Sequence, residues 1–292
     1  MRGAGRFVRV DGVPLHVVVE GRGPVCVLSA GLAMAWFDWD AVAALLVAAG
    51  RTVVRFDRPG HGLSGPAAEP PTAAGEARRI AGLLDALGLP GDLPGGRDEA
   101  GRVTVVGHSI AGFHAEAFAR LYPERTAGVV LVDSSVEEAP RALLPVGVRT
   151  GLARGVGRAV SAVGLPAAFG PLARRVTVRA SRTGGSDPAA RDLVRRVYRT
   201  GRVWRGALLE NARYVDVAGE VLALRDVRPL TASATVLAGH CGSDLRWLAR
   251  QAELADRLGA RFEVAGPAGH LVMLDRPDQV ARAVLDADQL RV

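Results

Sequence analysis

A serine and a histidine in this chain stand in settings that suit nucleophilic catalysis. Ser109 lies in Val103-Thr104-Val105-Val106-Gly107-His108-Ser109-Ile110-Ala111-Gly112, and an alanine-rich stretch follows that stops at Pro123. A short β-branched run ending in Gly-x-Ser-x-Ala-Gly predicts a strand that turns sharply into a helix, with the serine hydroxyl projecting from a strained corner. Small neighbours suit a backbone that passes close to adjacent elements. The helix start behind Ser109 offers N–H groups and a positive dipole end where negative charge would develop. The competing reading is a tight turn with an N-capping serine. The pentapeptide alone does not separate the two, since its fifth position is Ala111 rather than glycine.

His270 is the candidate proton carrier. Arg261 to Gly266 alternates like a strand, and Pro267-Ala268-Gly269-His270 follows as a glycine-bearing loop. Leu271 to Pro277 comes next, with Asp275 as a candidate helix cap and Pro277 suited to a first turn. An imidazole on such a loop can swing over a sheet edge, take a proton from serine and return it to a leaving group near neutral pH. A lone loop histidine is usually a surface residue. The order Ser…His after the last strand of an alternating chain favours the general base.

With these residues in place the chain resembles the α/β-hydrolase fold superfamily, in particular its bacterial serine hydrolases with an inserted helical cap. The resemblance covers nearly the whole length. Val25 to Ala30 reads as a buried strand ending at Gly31-Leu32, where that superfamily places half of its oxyanion hole. Thr52 to Asp57 followed by Arg58-Pro59-Gly60-His61-Gly62-Leu63-Ser64 is similar to its turn after the fourth strand. Gly128 to Asp133 and Ala234 to Gly239 read as the next two strands, separated by an insertion. The implied fold is an α/β, mostly parallel, eight-stranded sheet with helices on both faces. Residues 1–135 and 227–292 would form the core, and 136–226 the cap.

The resemblance also implies roles. Backbone N–H groups of Leu32 and Ile110 would hold the oxyanion, each such donor being worth roughly 3–4 kcal/mol in measured cases. Ala30 stands where many members have histidine, but a backbone donor does not depend on that side chain. The acid is ambiguous. The superfamily usually places it about three residues beyond the glycine that ends the penultimate strand, and here that position is Gly242, with Asp244 two residues late. The other place it uses is the end of the strand after the nucleophile helix, where Asp133 stands. Asp133 follows its strand directly and is the preferred acid, with Asp244 as alternative. Leu28-Ser29-Ala30-Gly31-Leu32, Val132-Asp133-Ser134-Ser135 and Trp247…Gln251-Ala252-Glu253-Leu254 also resemble a subgroup without the later acid. Otherwise Asp244 would cap a helix over 245–258, and Asp133 would cap a turn.

The implied activity is cleavage of a carboxylic ester or related acyl bond through an acyl-enzyme, with no metal or organic cofactor. Epoxide and haloalkane chemistry is disfavoured, because those relatives attack with a carboxylate where this chain has Ser109. Cofactor-free peroxidase and C–C hydrolase activities use the same residues. A rival of another class is a catalytically weak ligand receptor or scaffold on the same fold.

Composition bounds these readings. The chain has 292 residues, 49% of them hydrophobic, enough for a large core. Arg6 to Val10 and Leu15 to Glu20, around Asp11-Gly12-Val13-Pro14, predict an antiparallel hairpin. Leu89 to Arg97 is a proline- and glycine-rich linker before the nucleophile strand. Cys26 and Cys241 have neither metal spacing nor a disulfide framework. No run approaches the roughly 20 apolar residues of a membrane span. The N-terminus has no apolar signal core, so the expectation is cytoplasmic.

The insertion from Val136 to Asp226 carries the charge: sixteen arginines against four Asp and four Glu, +8 in a chain of net +7 that contains no lysine. Leu143, Leu144, Val148, Leu152, Val156, Val160 and Val163 recur at helical intervals, and Leu193 to Leu209 also reads as helix. Three explanations compete for the arginines: a solvated face in an arginine-only composition, clamps for an anionic substrate, or docking on anionic membrane surfaces or acidic partners. Nucleic-acid binding is not expected, since no recognisable module accompanies the charge. The expected partner is a small-molecule acyl substrate.

Overall fold

The computed structural model describes residues 5–89, 101–242 and 244–287. The hairpin comes first: β1 (Arg6–Val10) pairs antiparallel with β2 (Val13–Glu20), Val10 opposite Val13. The connecting Asp11 and Gly12 both have positive φ, 49° and 76°, as a two-residue Asp-Gly turn requires. β2 therefore starts at Val13, two residues before the expected Leu15. Pro14 is tolerated because β2 contacts β4 only from Val17 onward.

The chain continues β3 (Val25–Ser29), α1 (Asp40–Ala48), β4 (Thr52–Phe56), α2 (Ala73–Leu87), β5 (Val103–His108), α3 (Ala111–Leu121) and β6 (Thr126–Val132). After four helices come β7 (Ser233–Gly239), α8 (Leu245–Leu258), β8 (Arg261–Ala265), α9 (Val272–Asp275) and α10 (Pro277–Ala287). The four are α4 (Val146–Ala162), α5 (Leu165–Ala180), α6 (Arg191–Tyr198) and α7 (Gly201–Val227). The sheet has eight strands in the order β1-β2-β4-β3-β5-β6-β7-β8, parallel from β4 to β8. Its central strands are buried along their whole length, in keeping with their valine-rich sequences. One core lies between the sheet and α2, α3 and α8; the other lies under α1 and α10.

The chain goes from β3 to β4 on one side and crosses to β5 on the other, so the strand order reverses between β3 and β5. Crevices at the carboxyl ends of strands at such a point are where open α/β sheets place ligands. Ser109 follows β5 there.

The helix expected over 193–209 is two helices. Thr200 is extended (φ −93°, ψ 131°) and begins the new helix α7, so α6 stops at Tyr198. α7 also runs past the expected boundary at Asp226, and its Val217, Ala218 and Val221 join the core beneath the sheet. The linker after Leu89 lies outside the described residues. Cys26 is buried in β3, Cys241 is exposed, and they form no disulfide.

Candidate active site

The corner at Ser109 is built from close backbone approaches. Ser109 has φ 54°, a left-handed conformation that costs a non-glycine residue about 1–2 kcal/mol. A β-carbon at Gly107 would fall 2.2 Å from the Ala111 carbonyl oxygen, and one at Gly112 would fall 2.0 Å from Ser134 Oγ. Glycine is thus demanded at 107 and 112, while Ala111, the first residue of α3, fits where it is. The Ser109 N–H donates to Val132 O (3.2 Å), and its carbonyl accepts from Gly112 N (2.9 Å) and Ser135 N (3.1 Å). These contacts offset the strain by tying the corner to β6 and α3.

Asp133 and His270 meet across two strand ends. His270 Nδ1 lies 2.6 Å from Asp133 Oδ2, with Asp133 buried and the His270 ring partly open to solvent. The other carboxylate oxygen, Oδ1, accepts from the Gly239 N–H (2.9 Å) and from Trp247 Nε1–H (2.8 Å). An acid held this way fixes the imidazole tautomer and can stabilise an imidazolium. Asp244 is not brought to His270. It is exposed and caps α8, accepting from the Trp247 N–H at 3.0 Å. Trp247 thus orients the first aspartate with its ring and is capped by the second through its backbone. Gln251 Nε2 donates to Ser134 O (2.6 Å), so α8 buttresses the strand end twice.

The loop of His270 is pinned from both sides. His108 Nε2 donates to the His270 carbonyl (2.9 Å), and the two rings are 4.7 Å apart. Burial, helped by the neighbouring His270, pulls His108 well below the ordinary histidine range, so it is neutral and its one proton is on Nε2. Asp275 does not act as the cap expected of it. Its carboxylate accepts from Gly269 N (2.9 Å) and Thr183 N (3.0 Å) and pairs with Arg182 (2.8 Å). Leu271 N donates to Ser181 O (3.1 Å), so the segment after α5 grips the same loop.

The turn after β3 completes the site. A β-carbon on Gly31 would lie 3.1 Å from Ser109 Cβ, which sets Leu32 beside the serine. Among the described residues, the N–H groups of Leu32 and Ile110 donate to no protein acceptor. Two buried networks hold this turn. Arg58, from the turn after β4, donates to the carbonyls of Ala30 and Gly31 (3.0 Å to the latter) and forms a bidentate pair with Glu210 of α7 at 2.8 Å. Burial alone would raise the Glu210 carboxyl, but Arg58 and His61 outweigh it and hold it well below the ordinary range. On the other side Tyr198 Oη donates to Ala33 O (2.8 Å), while Arg174 of α5 reaches Asp38, Asp187 (3.0 Å) and Tyr198 (3.2 Å). None of these pairings stood out in the sequence, because every partner except Asp187, 13 residues from Arg174, lies more than 20 residues away.

Beside Leu32, Ala33 and Met34 opens a cavity of about 310 Å³, closed by α5, α6 and α7. Its walls include Val203, Trp204 and Leu208, and its one arginine, Arg174, is already neutralised by Asp38 and Asp187. Among the described residues no group of three or more His, Cys, Asp or Glu could hold a metal ion.

The family model described as the alpha/beta hydrolase family matches residues 26–283. This chain belongs to the alpha/beta hydrolase family. As an alpha/beta hydrolase it is 33% identical over 131 residues to epoxide hydrolase B of Mycobacterium tuberculosis, an alignment covering 43% of this chain and 34% of that protein. The matches to the named epoxide hydrolases span 21% to 39% of those proteins' lengths. Among solved structures, Cfl2 from Burkholderia cenocepacia superposes with a TM-score of 0.76 at 23% identity, covering 97% of this chain and 94% of that one. A thermophilic esterase from Thermogutta terrifontis gives 0.67 at 23% identity, covering 97% of each chain. These likenesses carry the alpha/beta hydrolase fold.

Proposed function

We propose that this protein is a serine hydrolase that cleaves a carboxylic ester or related acyl bond. The observation that carries the reading is one cluster of strand ends: Ser109 at φ 54° after β5, and His270 Nδ1 held 2.6 Å from Asp133 after β8 and β6. In this reading Ser109 attacks the acyl carbon, and His270 takes its proton and passes it to the leaving group. Asp133 keeps His270 in the tautomer with Nε2 free to accept. The N–H groups of Leu32 and Ile110 stabilise the oxyanion, and water then cleaves the acyl-enzyme. Helices α4 to α7 act as the cap. The apolar cavity with its neutralised arginine favours an uncharged acyl group over an anionic one. Epoxide opening, named for several relatives, is disfavoured, because the superfamily resemblance implies a carboxylate nucleophile for that chemistry where this chain has Ser109.

The test is active-site labelling with a fluorophosphonate alongside turnover of short p-nitrophenyl esters. Labelling of wild type that vanishes in Ser109→Ala and His270→Ala supports the reading. A folded wild type that neither labels nor turns over esters overturns it.

A further inference from the structure

The apolar stripe that the sequence places on helix α4 faces outward. Val148, Leu152 and Val156, four residues apart, are 46–57% exposed. α5 repeats the pattern with Phe169, Leu172 and Val176 at 53–59%. Scattered exposed apolar side chains are ordinary, but aligned stripes on two consecutive helices mark an interaction surface. The opposite stripes are committed inward. Gly157 of α4 packs on Arg205, and Gly170 and Arg174 of α5 pack on Tyr198 and Asp38.

We propose that the outer face of the α4–α5 pair docks on an anionic lipid bilayer. Residues 141–180 contain seven arginines and not one Asp or Glu. Of these, Arg175 and Arg179 of α5 form no ion pair among the described residues and Arg179 is exposed, whereas Arg154 and Arg158 of α4 line a pocket with Arg202 and Arg205 of α7. Arg175 and Arg179 each follow a stripe residue (Leu172, Val176) by three positions, so they flank the apolar face. An apolar stripe bordered by arginines and free of acids is the pattern of a helix that lies in the membrane interface. It is the wrong pattern for a second copy of this chain, because a two-fold contact would set arginine against arginine. No single helix is long and apolar enough to cross a bilayer, and the two helices bend by 106° at their junction, a geometry that suits lying in the interface. The α4–α5 pair rests on α7 and lies across the interface, with Arg175 and Arg179 reaching the phosphates.

Vesicle flotation at physiological salt tests this, using pure phosphatidylcholine vesicles and an equimolar mixture with phosphatidylglycerol. Wild type should float with the anionic vesicles, stay behind with the neutral ones, and release as salt rises. Phe169→Asp with Leu172→Asp should weaken binding at least about tenfold. Arg175→Gln with Arg179→Gln should weaken it by about fivefold per charge removed. Circular dichroism matching wild type shows that these surface variants fold. The proposal is overturned by a wild type that does not float, by equal binding to neutral vesicles, or by a Phe169/Leu172 variant that floats unchanged. Sedimentation velocity adds a further outcome: a dimer dissociated by that same variant, without vesicle binding, would assign the face to a second copy and overturn it too.

Discussion

At the residue scale, the chemistry depends on which carboxylate holds His270. Asp133→Asn keeps the shape but turns an acceptor-only group into one that can present N–H to Nδ1, favouring the wrong tautomer. Ester turnover should fall by about 10³–10⁴ in kcat, as the equivalent change does in a serine protease. Asp244→Ala should leave turnover within about twofold and cost about 1 kcal/mol of stability, the usual loss of a helix cap. Comparing kcat with urea midpoints for the two variants separates the roles. Trp247→Phe removes one of the two donors on Asp133 Oδ1 and keeps an aromatic, though smaller, ring there. It should lower kcat severalfold with KM nearly unchanged, because it acts through Asp133 and does not line the cavity.

At the scale of elements, α5, α6 and α7 hold the turn that carries Leu32. Glu210→Ala would leave Arg58 buried without its bidentate partner, a change expected to cost about 3–5 kcal/mol in chemical denaturation. Tyr198→Phe is gentler. It deletes the hydroxyl that donates to Ala33 O, where φ is 57°, and should cost about 1 kcal/mol of stability. Single-turnover acylation by a fluorescent ester should slow in Tyr198→Phe if the turn is held ready by that bond. An unchanged acylation rate would show that Arg58 alone suffices.

At the scale of the whole molecule, buried histidines set the response to acid. Burial first, then Arg58, pulls His114 down to about 3, and both of its ring nitrogens lack partners. A folded-state value depressed below the unfolded 6.5 means that stability is complete above pH 6.5 and is lost as pH falls towards 3. Each such histidine contributes about 1.4 kcal/mol of loss per pH unit in that window. The depressed carboxyl of Glu210 adds its own loss only below the ordinary carboxylate range. Urea denaturation of His114→Phe at pH 7, 6 and 5 should therefore give a shallower decline than wild type by about one proton. Parallel declines would mean that His114 is protonated in the folded protein.

The sequence by itself determined the features that local sterics and periodicity control. The strand–helix corner at Ser109 was readable because Gly107 and Gly112 have no room for a side chain. The hairpin was readable because Asp11-Gly12 suits a turn with two positive φ values, and the strands were readable from their apolar runs. Only the tertiary structure shows which of Asp133 and Asp244 lies against His270, since both stand past the carboxyl ends of parallel strands: Asp133 Oδ2 is 2.6 Å from the ring, while Asp244 caps α8. The anchors Arg58, Glu210 and Tyr198 are likewise products of the fold, because their partners are remote in the chain. The stripe on α4 shows the limit most clearly. A period of 3.6 residues announces a helix with one apolar side, but only packing against α7 determines whether that side is turned towards the core or away from it.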